Sequence, residues 1–213
     1  MKKIGKIKSF VAGGLVALAL AVSTPVRAES KNYADFFLSE KEGMSHVKVN
    51  QLYSLPGNIR SYSYVELYAD RYFGKSMLSK SLSDIIALRM DVFHINEPFT
   101  SAGLGLGITV PLPKDYSASF RVLPLWFDKK GNYIPDKVVV RCDAGFKPGS
   151  GWSLNAFGEV NVAAKEGPVW GYGELQLAKE ISDDVMVKYN IALRSKGELA
   201  PQLENRIGLS IKY

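Results

Sequence analysis

The 213-residue chain has one cysteine, Cys142, and two histidines, His46 and His94. A single thiol cannot form an internal disulfide, so the fold must hold without cross-links. Two isolated imidazoles do not make a metal cluster, and no metal or cofactor is expected. Beyond residue 28 no apolar run approaches the ~20 residues a spanning helix requires, which excludes a helical membrane protein. No segment reads as a long amphipathic helix. Nothing resembles a nucleophile elbow. The GLGLG stretch (103–107) lacks the third glycine and the following helix of a phosphate-binding loop.

Positive charge is also scarcer than the formal net of +6 suggests. Lys2, Lys3, Lys6, Lys8 and Arg27 precede residue 29, and no acidic residue does. The remaining chain carries 22 basic against 21 acidic residues, a net of +1. A nucleic-acid partner therefore loses its electrostatic support, and none is expected. The early lysines precede an apolar run from Phe10 to Val22 and a small-residue site, Val26-x-Ala28. That order predicts a signal peptide over residues 1–28, cleaved after Ala28. Residues 29–213 are then one exported domain, with 29–45 of uncertain role.

What is present is alternation. KVVVRCDAGF (137–146) sets Val138, Val140, Cys142 and Ala144 against Lys137, Val139, Arg141 and Asp143. WSLNAFGEVNV (152–162), PVWGYGELQL (168–177) and VMVKYNIALR (185–194) repeat the scheme. Weaker versions fall at 46–54, 59–68, 71–80, 85–95, 101–110 and 117–127, and LENRIGLSIKY closes the chain. This is a β pattern of segments about 9–11 residues long, the length of tilted membrane strands. Eleven strands are visible without NYADFFLSEKEG (32–43), which reads as a plug, a short helix or a first strand. Even strand counts are the rule in such barrels, so ten and twelve both fit.

The fold expected is all-β, an antiparallel up-and-down transmembrane β-barrel. Charges recur deep inside strands whose opposite faces stay apolar, the arrangement of a wet lumen and a lipid-facing exterior. Aromatics such as Tyr62, Tyr64, Tyr68, Trp126, Trp152, Trp170, Tyr172 and Tyr213 gather near strand ends, where interfacial girdles are expected. Gly103, Gly105 and Gly107 give one strand a smooth face, suited to a closely packed side chain or plug. Pro124, inside RVLPLWF, predicts a bulge or a strand end. Cys142, on the apolar face, reads as an inert small hydrophobe.

The ending RIGLSIKY resembles the C-terminal signature of Gram-negative outer-membrane β-barrel proteins. The resemblance implies residence in outer-membrane lipid and recognition of the final strand by the barrel-assembly machinery. In size and chain ending the protein is also similar to the small monomeric channels for acidic sugars, the oligogalacturonate and sialic-acid porin group.

The lumen candidates are Arg89, Asp91, Arg121, Arg141, Asp143, Glu159, Glu174, Lys188, Arg194 and Arg206, with Arg60 a further cation. Their guanidinium forks suit carboxylates and phosphates, so a narrow channel for passive transport of small polar or anionic solutes is expected. The same charges could form a salt-bridged filling, which leaves a closed barrel acting as scaffold, adhesin or assembly partner. Two other readings are a lipid-modifying enzyme, for which His46 and His94 with Glu97 are the only candidates, and a soluble periplasmic β-barrel binding protein. His94 shares a face with Val92 and Met90, which favours an interfacial position over a catalytic one.

Overall fold

The computed structural model describes residues 30–41, 45–96, 100–163, 167–196 and 201–213. The expected signal peptide, its cleavage point at Ala28, and Glu97 lie outside the described residues. In chain order the strands are β1 (Ser30–Ser39), β2 (His46–Leu55), β3 (Ile59–Leu67), β4 (Tyr72–Ser81), β5 (Ile86–Ile95), β6 (Ser101–Val110), β7 (Tyr116–Asp128), β8 (Tyr133–Ile134), β9 (Lys137–Gly149), β10 (Trp152–Ala163), β11 (Gly167–Ser182), β12 (Val185–Lys196) and β13 (Gln202–Lys212).

Neighbours in sequence pair antiparallel, and β1 pairs with β13. β7 joins β6 on one side and β9 on the other. The two-residue β8 only folds back on the end of β7, so the closed wall has twelve staves. The ambiguous 32–43 segment supplies the first of them. It pairs with both β2 and β13, and the twelve-strand alternative holds.

The wall is inverted relative to a soluble protein. A row of apolar side chains runs across the outside of five staves: Leu88, Leu106, Val122, Val140 and Val160. Each is the cross-strand partner of the next, and all five are exposed. Their chain neighbours Arg121, Arg141 and Glu159 point inward, because side chains alternate along a strand. An exposed band of this extent has to be covered by hydrocarbon. Cys142 lies on the same outer surface, as its alternation indicates.

The β7 proline does mark a bulge. Leu104 pairs with Leu125 and Leu106 with Val122, so Leu123 and Pro124 together oppose Gly105. The Trp126 indole N–H donates to the Leu123 carbonyl at 2.8 Å and fastens the bulge. The extra residue flips the phase: Leu123 and Trp126 both point inward, where they bury with Val139 against Phe93 and Ile134. The glycine face of β6 makes this fit. A Cβ on Gly103 would lie 2.6 Å from the Trp126 ring, and one on Gly107 2.5 Å from Arg89 Nε.

Candidate functional site in the barrel lumen

The inner face carries the charges. Each of the ten lumen candidates alternates with outward apolar residues on its strand, and their surroundings differ. Asp91 receives the Arg121 guanidinium at 2.9 Å and Lys75 at 2.9 Å. Arg141 lies against Asp143 at 2.5 Å and against Glu159 at 3.8 Å. Glu159 takes Lys75 at 2.6 Å. Arg121 also approaches Asp143 at 3.8 Å. Three cations and three carboxylates thus form one lattice from β4 through β10, deep in the barrel.

A second set lies across β11 to β3. Arg206 donates to Glu204 at 2.7 Å and faces Glu174 at 3.6 Å. Arg194 reaches Glu204 at 3.5 Å. Glu174 accepts from Tyr172 and Asn190, both at 2.7 Å. Lys188 pairs with Asp35 at 2.7 Å, and Asn50 donates to the same carboxylate at 2.9 Å. Lys48 pairs with Glu66 at 3.3 Å. The alternation suggests Lys188 and Glu66 as neighbours of Arg206; its close partners are Glu204 and Glu174 instead.

Two cations stand apart. Among the described residues neither Arg60 nor Arg89 has an ion-pair partner within 4.0 Å. The Arg89 Nε is buried without a hydrogen bond. Arg89 lies near enough to Arg121 and Arg60 to be repelled by both. Arg60 and Arg89 border a cavity of about 630 Å³ that also takes in Arg141, Lys188, Arg206 and Lys48, against four carboxylates: Asp35, Glu66, Asp143 and Glu174. Hydroxyl and amide groups of Thr109, Ser117, Ser119 and Asn155 are among its other polar lining groups.

Sequence reasoning passes over Asp35, Lys48, Lys75 and Glu204. Asp35 belongs to the ambiguous first segment. Glu204 lies in the closing segment LENRIGLSIKY, two residues before Arg206 and on its face, so its signal was present. Lys75 shares its face with Phe73 and Met77, which disguises that face as apolar. For Lys48 the signal was there: it alternates with His46 and Asn50 against Val47 and Val49.

The aromatic girdle needs correction. Tyr68 and Trp126 are buried inside, and Tyr62 and Tyr64 line the cavity. Tyr62, Tyr64, Phe73, Phe93 and Trp126 form a ladder of rings with successive centroids 5.8, 5.9, 6.2 and 5.4 Å apart. Tyr172 stacks near Trp170 and Phe157 on the far wall. These rings share the parity of the charges and seat them: Lys48 over Tyr64 at 4.1 Å, Lys75 over Phe93 at 4.5 Å, Arg141 over Phe157 at 4.3 Å. Trp152 and Tyr213 do remain on the exterior.

The two histidines sit on opposite faces of the wall. His46 is buried between the rings of Phe37 and Tyr68, with centroids 5.1 and 4.8 Å away. His94 faces Gly74 across the sheet, on the side away from the lumen. Among the described residues no group of three metal-ligating side chains gathers.

No protein-family model matches the sequence, and no curated protein matches it. Solved structures do match in fold. The NanC porin aligns with a TM-score of 0.60 at 11% identity, over 85% of this chain and 100% of that one. The KdgM porin in complex with disordered oligogalacturonate gives 0.56 at 9% identity, over 86% and 99%. An active-site mutant of outer membrane phospholipase A from Escherichia coli gives 0.52 at 14% identity, over 89% and 93%. The fold is therefore that of the small outer-membrane porin-like barrels.

Proposed function

We propose that the protein is a narrow outer-membrane channel for passive transport of small anionic solutes. The observation that carries this reading is the charge balance of the cavity. Six cationic side chains face four carboxylates, and two of the cations, Arg60 and Arg89, have no ion-pair partner. Arg89, half-buried and facing like charge from Arg121 and Arg60, is stabilised by an entering anion, and the exposed Arg60 stands at the same cavity to meet it. A carboxylate or phosphate fits their fork geometry, and the neighbouring hydroxyls of Ser117, Ser119 and Thr109 can take over part of its hydration. The KdgM porin complexed with oligogalacturonate, a polyanionic sugar, supports the same class of solute by likeness of fold.

The test is a reversal potential in planar lipid bilayers under a potassium chloride gradient. Anion preference is expected for the wild type. It should fall in the Arg60→Gln/Arg89→Gln double variant, because the remaining cations are paired. Cation preference in the wild type, or an unchanged potential in the double variant, would rule the reading out.

A further inference from the structure

We infer that the Lys75–Glu159 ion pair is the gate of the lumen, a contact across the barrel that breaks for solute to pass. This rests on the channel reading but concerns different residues.

The first argument is position. Round the ring from β4 through β5, β6, β7 and β9 to β10 is five steps out of twelve staves, so Lys75 and Glu159 stand on almost opposite walls. Their charged atoms nonetheless meet at 2.6 Å. Every other ion pair between strands among the described residues joins staves one or two steps apart. Those pairs line the wall, whereas this one crosses the opening. A twelve-stave barrel lies between filled eight-stranded barrels and open sixteen-stranded ones. Two long side chains reaching inward are enough to span it.

The second argument is closure. Lys75, Asp91 and Glu159 are 1%, 0% and 4% exposed. Water therefore does not reach the contact from the cavity. The Leu123–Trp126–Val139 cluster fills the lumen on the β7 and β9 side and packs against Phe93, the ring under the Lys75 ammonium, so it closes off that flank of the contact.

The third argument separates a gate from a permanent strut. A buried pair is normally locked, because breaking it strands two charges. Here neither is stranded. When the contact opens, Lys75 keeps Asp91 at 2.9 Å and the Phe93 ring beneath it. Glu159 turns to Arg141, already 3.8 Å away on the adjacent strand. Asp91 still has Arg121, and Arg141 still has Asp143. The lattice remains three cations against three carboxylates in both arrangements. Two packings of equal charge balance are what a bistable element needs.

The experiment compares unit conductance in planar bilayers for wild type, Glu159→Gln and Lys75→Met/Glu159→Gln. A heat-shift gel, boiled against unboiled, verifies that each barrel folds. Glu159→Gln leaves every remaining cation of the lattice with a carboxylate, so it reports even where the double variant is not recovered. Folded variants should conduct several-fold more than wild type, the double variant most. Wild-type conductance in a folded variant, silence of both included, overturns the gate. The reversal potential of the same channels tests the anion reading separately, since Arg60 and Arg89 are untouched. Raised conductance without anion preference would sink that reading and keep the gate; the opposite result would do the reverse.

Discussion

Replacing Val140 by arginine should unseat the barrel from the membrane far more than placing the same charge on the inner wall. Val140 is in the exposed row, flanked by Val122 on β7 and Val160 on β10. An arginine on a lipid face near the midplane costs about 2–4 kcal/mol. At about 1.4 kcal/mol per tenfold, the folded-to-unfolded ratio drops roughly 30- to 700-fold. Gln176→Arg is the control. Gln176 borders the cavity, where a solvated guanidinium should change stability by less than about 1 kcal/mol. Reversible guanidinium unfolding in large lipid vesicles, followed by tryptophan fluorescence, reads both. The midpoint should fall for Val140→Arg with an unchanged slope, and barely move for Gln176→Arg. Equal shifts, or a larger one for the control, would refute the inside-out assignment on which the lumen rests.

Two further outcomes follow from local geometry. Gly103→Leu places a carbon 2.6 Å from the Trp126 ring, so the indole must move, at an overpacking cost of about 1–3 kcal/mol. Tryptophan emission in a Trp152→Phe/Trp170→Phe background should shift, and an unmoved spectrum would mean the glycine face does not seat the ring. Glu40, beyond the end of β1, accepts hydrogen bonds from the Asn205 side chain and backbone N–H, which hold its carboxyl below the usual carboxylate range. A depressed folded-state value means the contact contributes fully above the ordinary carboxylate value and is lost as pH falls through the lower one. Hydrogen exchange should show the Asn205 amide protected at neutral pH, deprotected in acid, and unprotected throughout in Glu40→Ala.

Alternation made the two faces legible, since a period of two leaves no choice of side once one residue is placed. Arg141 and Asp143 point in and Val140 and Cys142 point out for that reason alone. The smooth face of Gly103 and Gly107 was legible because a missing side chain implies a neighbour that fills the gap. The bulge at Pro124 was legible because proline cannot donate to the ladder. What escaped was everything that depends on closure. Lys75 meets Glu159 only because the sheet curls until its fourth and ninth staves face each other. Nothing in their 84-residue separation in sequence hints at it. Position near a strand end points Tyr62, Tyr64, Tyr68 and Trp126 toward the lipid interface, but parity turns them inward, and parity decides.

The outer row has a consequence for the protein's life before it is assembled. In water the staves have little apolar interior to bury beyond the Leu123–Trp126–Val139 cluster, because most of the interior holds ions and the exterior holds most of the leucines and valines. Closing the ring there would present the whole hydrophobic band to solvent, so hydrocarbon has to be at hand for closure to be favourable. Folding and insertion are therefore one event. Any aqueous crossing is made by an open chain whose strands would pair with those of other chains, and a holdase that masks them would have to travel with it.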